Sequence, residues 1–476
     1  MGVMPLASDL SKGLSAAVTQ EVLADVAARV RALMPRALTD LAELVALPSV
    51  FNPKTGPSAD CLRTAELVAA ALRDLGFSDV RLLETPDGSS AVYGHRPPAA
   101  PAGGTGAART VLLYSHYDVQ PVGDEARWDS APFTLTERDG RWYGRGAADC
   151  KGNLVAHLTA LRAIGDAAAV GIKVIIEGSE EQGTGGLERF VEQHPDVLAA
   201  DTIVIGDSGN VALGVPTMTT TLRGMVSAVV RVRTATSSMH SGTFGGPTPD
   251  ALLALVAMLA TLHDETGDVT IPGLAGDGVW DGEPYPEDRL RADARLLPGV
   301  GLLGSGTVAD QLWARPALTV IGVEAPPLVG APSAVQPYAA ARLNLRLPPG
   351  VDPEAAYELL ATQLRAAAPW RVEVEVELEG IGSAFQTSTE GAGYQAMAAA
   401  MATAFGRQVT TAGQGGAIPL CSTFAQTYPD AEIMLIGVEE PTCLMHAPNE
   451  SVSLDEIERI ALAEALFLIG YPTGDR

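Results

Sequence analysis

Apolar positions along this chain follow two textures. In residues 21–47 they recur at helical spacing (Val22, Val26, Val30, Leu33) up to Pro48, and a second amphipathic helix is predicted from Ala59 to Leu75, closed by Gly76. Short strands are expected at Val80–Leu83 and Ala91–Tyr93, and the Pro/Gly/Ala stretch 97–108 reads as a surface loop, the tip of a hairpin. Val111–Tyr114, Ile172–Ile176 and Thr202–Ile205 are apolar runs of the kind found in strands buried on both faces. Helices at about 152–164 and 185–193 separate them. Strands alternating with helices predict an α/β domain, a mainly parallel sheet flanked by helices.

Near Pro216 the texture changes. Thr217–Leu222 and Val226–Val232 read as β-branched strands, and a helix follows at about 249–263. After a Gly/Pro/Asp-rich stretch (264–310) come strands Ala317–Val323 and Ala340–Leu347, a helix at 353–367 and a strand Val372–Leu378. This is an α+β insert. A helix at 391–405, the strand Ile433–Ile436 and a helix at 454–469 then resume the first domain. The expected organisation is one domain in two parts, 1–215 and 385–476, interrupted by the insert 216–384.

Length and charge narrow the function. At 476 residues two domains are the natural expectation. With 32 basic against 57 acidic residues the net charge is −25. A field of that sign repels phosphate backbones and anionic membranes, so neither nucleic acid nor a membrane is an expected partner. Cys61, Cys150, Cys421 and Cys443 are scattered as in a reducing compartment. No secretory signal or span of about 18 apolar residues is apparent, so a cytoplasmic location is expected.

The chemistry shows in where ligand-type residues fall. In open α/β sheets binding groups sit just beyond the carboxyl ends of strands. Here VLLYS leads to His116 and Asp118, KVIIEGS to Glu180 and Glu181, TIVIG to Asp207 and IMLIG, across a loop, to His446. Asp149 lies in the glycine-bearing loop GRGAAD, before a helix. Two zinc ions need about four protein ligands and a carboxylate able to bridge them, and two His with several Asp/Glu provide that set. A ligating histidine usually donates its second ring nitrogen to a carboxylate, which gives Asp118 a reason to follow His116. In the Glu180–Glu181 doublet one carboxylate can bind metal while its neighbour deprotonates water; successive strand residues face opposite ways, so the pair belongs past the strand end. No GxSxG elbow occurs, GLLGSG (301–306) does not sit in a strand-to-helix turn, and Cys443 with His446 is half a zinc finger without a second half. His157 falls with Leu154, Leu158 and Leu161 at helical spacing and is expected to pack or meet solvent.

The stretches SHYDVQPVGDEARWDSAPF, GRWYGRGAADCKGN, EGSEEQGTGG, IGDSGN, MHSGTFGG, GQGGAIPLCSTF and MHAPNE, in this order, resemble the zinc aminoacylase, carboxypeptidase G and carnosinase-type dipeptidase family. The long insert is most similar to the carnosinase-type dipeptidases. The resemblance implies that His116, Asp149 and Asp207 bind one metal, and Asp149, Glu181 and His446 the other. It makes Glu180 the general base and acid, and Asp118 the support of His116. It further implies that His240 polarises the scissile carbonyl, often across a dimer, that Arg346 pairs with a substrate carboxylate, and that Gly415 and Gly416 let the backbone approach the substrate. The insert becomes a lid and dimerisation domain of a homodimer, and the Asp149–Cys150 peptide bond is expected to be cis. Ala417 and Gln414 depart from the Ser and Glu of many relatives, and Cys150 from Asp or Asn. The expected function is hydrolysis of dipeptides or similar small peptides with two divalent ions, zinc or else manganese or cobalt. The alternatives are an N-acyl-amino-acid deacylase, a carboxypeptidase and a metal-dependent peptide-binding protein.

Overall fold

The computed structural model describes residues 18–98, 109–168, 170–416 and 418–471. The N-terminal stretch before residue 18, most of the predicted 97–108 loop and Ala417 lie outside the described residues. Helices α1 (Gln20–Val45) and α2 (Ala59–Asp74) lead into β1 (Asp79–Glu84), β2 (Ser90–Arg96), β3 (Thr110–His116), α3 (Lys151–Ile164), β4 (Gly171–Glu177), α4 (Gly186–Gln193) and β5 (Thr202–Gly206). Next come β6 (Thr217–Leu222), β7 (Gly224–Arg233), α5 (Ala251–Leu259), β8 (Ala317–Glu324), β9 (Tyr338–Leu347), α6 (Pro353–Ala366) and β10 (Glu373–Gly382). The chain ends with β11 (Phe385–Gln386), α7 (Ala392–Phe405), β12 (Thr410–Gln414), α8 (Pro419–Thr427), β13 (Glu432–Ile436) and α9 (Leu454–Gly470). Helices α1 and α2 begin where a capping side chain precedes the amphipathic pattern: Thr19 Oγ1 accepts from Val22 N and Ser58 Oγ from Cys61 N.

The chain divides into two compact units. The first holds the described residues of Met1–Thr220, Thr387–Ala412 and Leu420–Arg476, the second Thr221–Gln386 and Gly413–Pro419. The short segment 413–419 sorts with the second unit for a packing reason. Gly413 lies against the Trp313 ring, where a Cβ would come within 2.5 Å of it, and Arg223 N donates to Gln414 O at 3.1 Å.

In the first unit the strand order is β1-β2-β4-β3-β5-β13-β6. The four central strands, β4, β3, β5 and β13, run parallel. The flanks are antiparallel: β1 and β2 form a hairpin, β2 pairs β4, and β13 pairs β6. The hairpin expected around 97–108 is not formed, because β4 lies between β2 and β3 and pairs with both. Val111 and Leu113 of β3 enter a core shared with α1, α2, α3, α7 and α9, while Leu112 and Tyr114 are equally buried on the other face. That double burial is why these strands carry no polar alternation. It also leaves the strand ends as the place where polar side chains can gather.

In the second unit the order is β8-β9-β7-β10, all antiparallel. Val226, Ala228, Val230 and Val232 of β7 and Leu343, Leu345 and Leu347 of β9 pack against α5 and α6. Their alternates, among them Arg231, Arg342 and Arg346, stand on the opposite face. There Arg231 pairs with Glu377 and Arg342 with Glu379. No helix among the described residues is long and apolar enough to cross a membrane.

Candidate metal centre

The carboxyl ends of β3, β4, β5 and β13 bring six predicted residues together. His116 closes β3, Asp207 follows β5, and Glu180 and Glu181 occupy a single 3-10 turn beyond β4. Asp149 precedes α3, and His446 sits on the loop after β13 with a left-handed backbone (φ 60°). The Asp149–Cys150 bond is cis.

Asp149 is the hub. Its Oδ1 lies 3.1 Å from His116 Nε2, and its Oδ2 lies 2.9 Å from His446 Nε2. His116 Nε2 is also 3.4 Å from Asp207 Oδ1 and 3.9 Å from Glu180 Oε2. His446 Nε2 is 3.1 Å from Glu181 Oε2. Two ligand-type groups result, one around His116, Asp149 and Asp207, the other of Asp149, Glu181 and His446, each with its atoms within 4.8 Å of one another. Ligands bonded at about 2.1 Å in a tetrahedron stand about 3.4 Å apart, so these nitrogen and oxygen donors fit a zinc-sized cation in each group. Cys150 borders the first group, but its Sγ donates to Gly206 O at 2.8 Å and burial pushes its thiol up, so it remains protonated.

The field at this cluster is strongly negative. Burial, then the charge of Asp207, lifts the Glu180 carboxyl well above its ordinary range. Burial likewise raises Asp207, to about 6, against the pull of His116. Burial also works to raise Asp149, but hydrogen bonds with His116 and His446 hold it well below the usual carboxylate range. Hydrogen bonds to Asp149 and Glu181 raise His446 to about 10. Crowded carboxylates of this kind are relieved by a divalent cation.

Asp118 does more than the sequence suggested. His116 Nδ1 donates to the Asp118 main-chain oxygen (3.1 Å) and lies 3.4 Å from its Oδ1, which leaves the Nε2 lone pair facing the cluster. The Asp118 carboxylate also accepts from Glu180 N and Glu181 N, both at 3.1 Å, so one buried residue orients the histidine through its main chain and holds the turn carrying both glutamates through its side chain. Sequence reasoning missed two further supports. Gln120 binds Glu181 through its main-chain N–H and side-chain amide at 2.9–3.1 Å. Glu450 accepts from Arg145 and from the backbone of Gly146, Ala148 and Asp149. Both lie inside quoted motifs, but a supporting role has no spacing signature. His157, expected to pack or meet solvent, is buried between Glu464 and Tyr114 O as a polar pair inside the core.

The remaining predicted residues lie in the second unit. His240 is exposed, and its Nδ1 accepts from Gly242 N at 3.1 Å, capping the turn Ser241–Phe244. Arg346 is half-buried on β9, and no carboxylate among the described residues pairs with it. Gly415 and Gly416 follow β12; a Cβ at Gly416 would meet nothing within 4 Å.

Residues 112–468 match the family described as Peptidase family M20/M25/M40. A cysteinylglycine-S-conjugate dipeptidase from Corynebacterium striatum is 43% identical over 447 residues, 92% of this chain and 95% of that protein. A Cys-Gly metallodipeptidase from Schizosaccharomyces pombe is 27% identical over 451 residues, 88% of this chain and 92% of its own. The crystal structure of human carnosine dipeptidase 1 superimposes with a TM-score of 0.75 at 26% identity, covering 94% of this chain and 99% of that one. With the family match spanning most of its length and a 43% identical relative along nearly all of it, this chain belongs to peptidase family M20/M25/M40 and is a hydrolase of peptide bonds.

Proposed function

We propose that the chain is a two-metal dipeptidase in which Asp149 bridges the cations. His116 and Asp207 complete one site, and Glu181 and His446 the other. The observation that carries this reading is the division of the Asp149 carboxylate, one oxygen toward each imidazole at 3.1 and 2.9 Å. Two bound divalent cations, zinc or else manganese or cobalt, contribute Lewis acidity and a water acidified toward neutrality.

Glu180 is the base. It is largely buried beside the first group, its main chain is held by Asp118, and burial, then the charge of Asp207, raises its carboxyl above the ordinary carboxylate value. It receives the proton of the attacking water and passes it to the leaving amine. His240 donates to the developing oxyanion: with Nδ1 accepting from Gly242, the ring proton sits on Nε2. Arg346 and the backbone of Gly415 and Gly416 hold the substrate's carboxylate. Three relatives or structural neighbours named for Cys-Gly, cysteinylglycine-conjugate and carnosine dipeptidase activity support a dipeptide as substrate. A homodimer through the second unit is supported by β8, an edge strand whose Val320, Ile321 and Val323 are exposed. The free, buried state of all four cysteines supports a reducing, cytoplasmic location.

The test is Glu180→Gln. The variant should bind metal as wild type does and lose about 10³-fold or more in turnover on dipeptides. Turnover within about tenfold of wild type removes Glu180 from the role. Running dipeptides beside N-acetyl amino acids and longer peptides separates the dipeptidase from a deacylase or carboxypeptidase.

A further inference from the structure

The second unit holds a guanidinium that no carboxylate among the described residues neutralises. Arg223 occupies the single position between β6 and β7 and is half-buried. Its side chain makes one hydrogen bond among the described residues, a long one from Nη1 to Gln311 O (3.4 Å). Its Nε is fully buried without a partner, and no carboxylate among the described residues pairs with it. An arginine removed from water without a counter-charge is costly, and proteins keep one where a ligand brings the anion.

Strand register sets where it points. Arg346 lies opposite Met225 in the β9–β7 pair. Arg223 stands two residues before Met225, so by alternation Arg223 and Arg346 share the face turned away from α5 and α6, as diagonal neighbours. Burial, with Arg346's like charge added, pulls the Arg223 guanidinium down to about 10. The glycine loop closes the arrangement: a Cβ at Gly415 would sit 3.1 Å from Arg223 Nη2, closer than ordinary van der Waals contact. Two planar forks with no paired carboxylate among the described residues, beside the glycine loop, form a receptor for a planar oxyanion.

We propose that Arg223 is a second cation of the substrate-carboxylate subsite, acting beside Arg346 and Gly415, and that it sets a preference for substrates with a free C-terminal carboxylate over their amides. The inference rests on the dipeptidase reading above and adds a residue that the sequence motifs did not single out. Arg223 binds the ligand directly and takes no part in proton transfer.

The experiment compares wild type, Arg223→Met and Arg223→Lys on a dipeptide and on the same dipeptide with its C-terminus amidated, with thermal unfolding as the fold control. Losing one charge-assisted interaction should raise KM of R223M for the free dipeptide about 10- to 100-fold, while kcat stays within about threefold. KM for the amide should not change. R223K, which keeps the charge and loses the fork, should fall between, and it carries the test if R223M does not fold. Equal effects on both substrates, or none on either, overturn the proposal. A binding arm keeps it separable from the dipeptidase reading: free glycine, but not glycinamide, should raise the melting temperature of wild type and not of R223M. If wild type cleaves no dipeptide yet shows that difference, the dipeptidase reading falls and the carboxylate subsite stands. If glycine acts equally on both proteins, the subsite falls.

Discussion

Replacing Glu450 by glutamine tests whether the loop carrying Asp149 is held by a buried charge. Glu450 is 0% exposed. Its Oε2 accepts from Arg145 Nη1 at 2.7 Å and Gly146 N at 3.0 Å; its Oε1 accepts from Ala148 N at 3.0 Å and Asp149 N at 3.2 Å. Burial pushes this carboxyl up while Arg145 and the backbone N–H groups oppose it. With donors on every side only the ionised form satisfies the set. A glutamine must turn its NH2 toward one of the two donor pairs, and Arg145, itself 1% exposed, loses its counter-charge. Removing one partner of such a pair costs about 3–5 kcal/mol. The unpaired N–H groups overlap with that figure at one carboxylate, so about 4 kcal/mol is expected. The surface pair Arg29–Asp25, 2.6 Å apart with both side chains more than half exposed, is the control; Asp25→Asn should change stability by no more than about 0.5 kcal/mol. Urea unfolding of the metal-free proteins by circular dichroism reads the first quantity. Metal titration reads the second, an affinity lowered about 10- to 100-fold because Asp149 N is no longer held. If E450Q unfolds within about 1 kcal/mol of wild type and binds metal unchanged, the reasoning is wrong.

Two further outcomes follow from the electrostatics. In the metal-free protein His446 is raised to about 10 and Asp207 to about 6, so at pH 7 His446 holds a proton that must leave before it can bind a cation. Metal uptake at pH 7 should therefore release about one proton or more, with affinity falling as pH falls; calorimetry in two buffers of different ionisation enthalpy would read zero protons if the assignment fails. His157, buried between Glu464 Oε2 (2.8 Å) and Tyr114 O (3.0 Å), is raised: burial lowers it, but Glu464 and Tyr114 O outweigh burial. A raised folded pKa means its contribution is complete below the unfolded value of about 6.5 and fades as pH climbs through the folded value. The stability gap between wild type and His157→Gln should accordingly narrow from pH 6 toward alkaline pH, and a gap that widens contradicts the protonated pair.

What could be read from residues alone was whatever repeats or is local. Unbroken apolar runs such as Val111–Tyr114 marked strands buried on two faces, and ligand-type residues just past four such runs marked the site, because α/β topology puts all those strand ends on one edge. The antiparallel flanks were not legible, since β1 and β2 are short and nothing local marks a strand's partner: β2 pairs with β1 and β4, not with β3 across 97–108. Nor was the fate of single polar residues. His157, at helical spacing among leucines, looked bland until α9 brought Glu464 to it from 307 residues away. Asp118 and Glu450 owe their roles to partners chosen by packing, two glutamate N–H groups and a backbone turn, and Arg223 stands out because no carboxylate among the described residues pairs with it. Periodicity encodes which face of an element is dry, because burial acts on every residue in turn. Which polar atoms meet, and which are left for a ligand, is a property of distances between segments remote in the chain, and only the folded structure sets them.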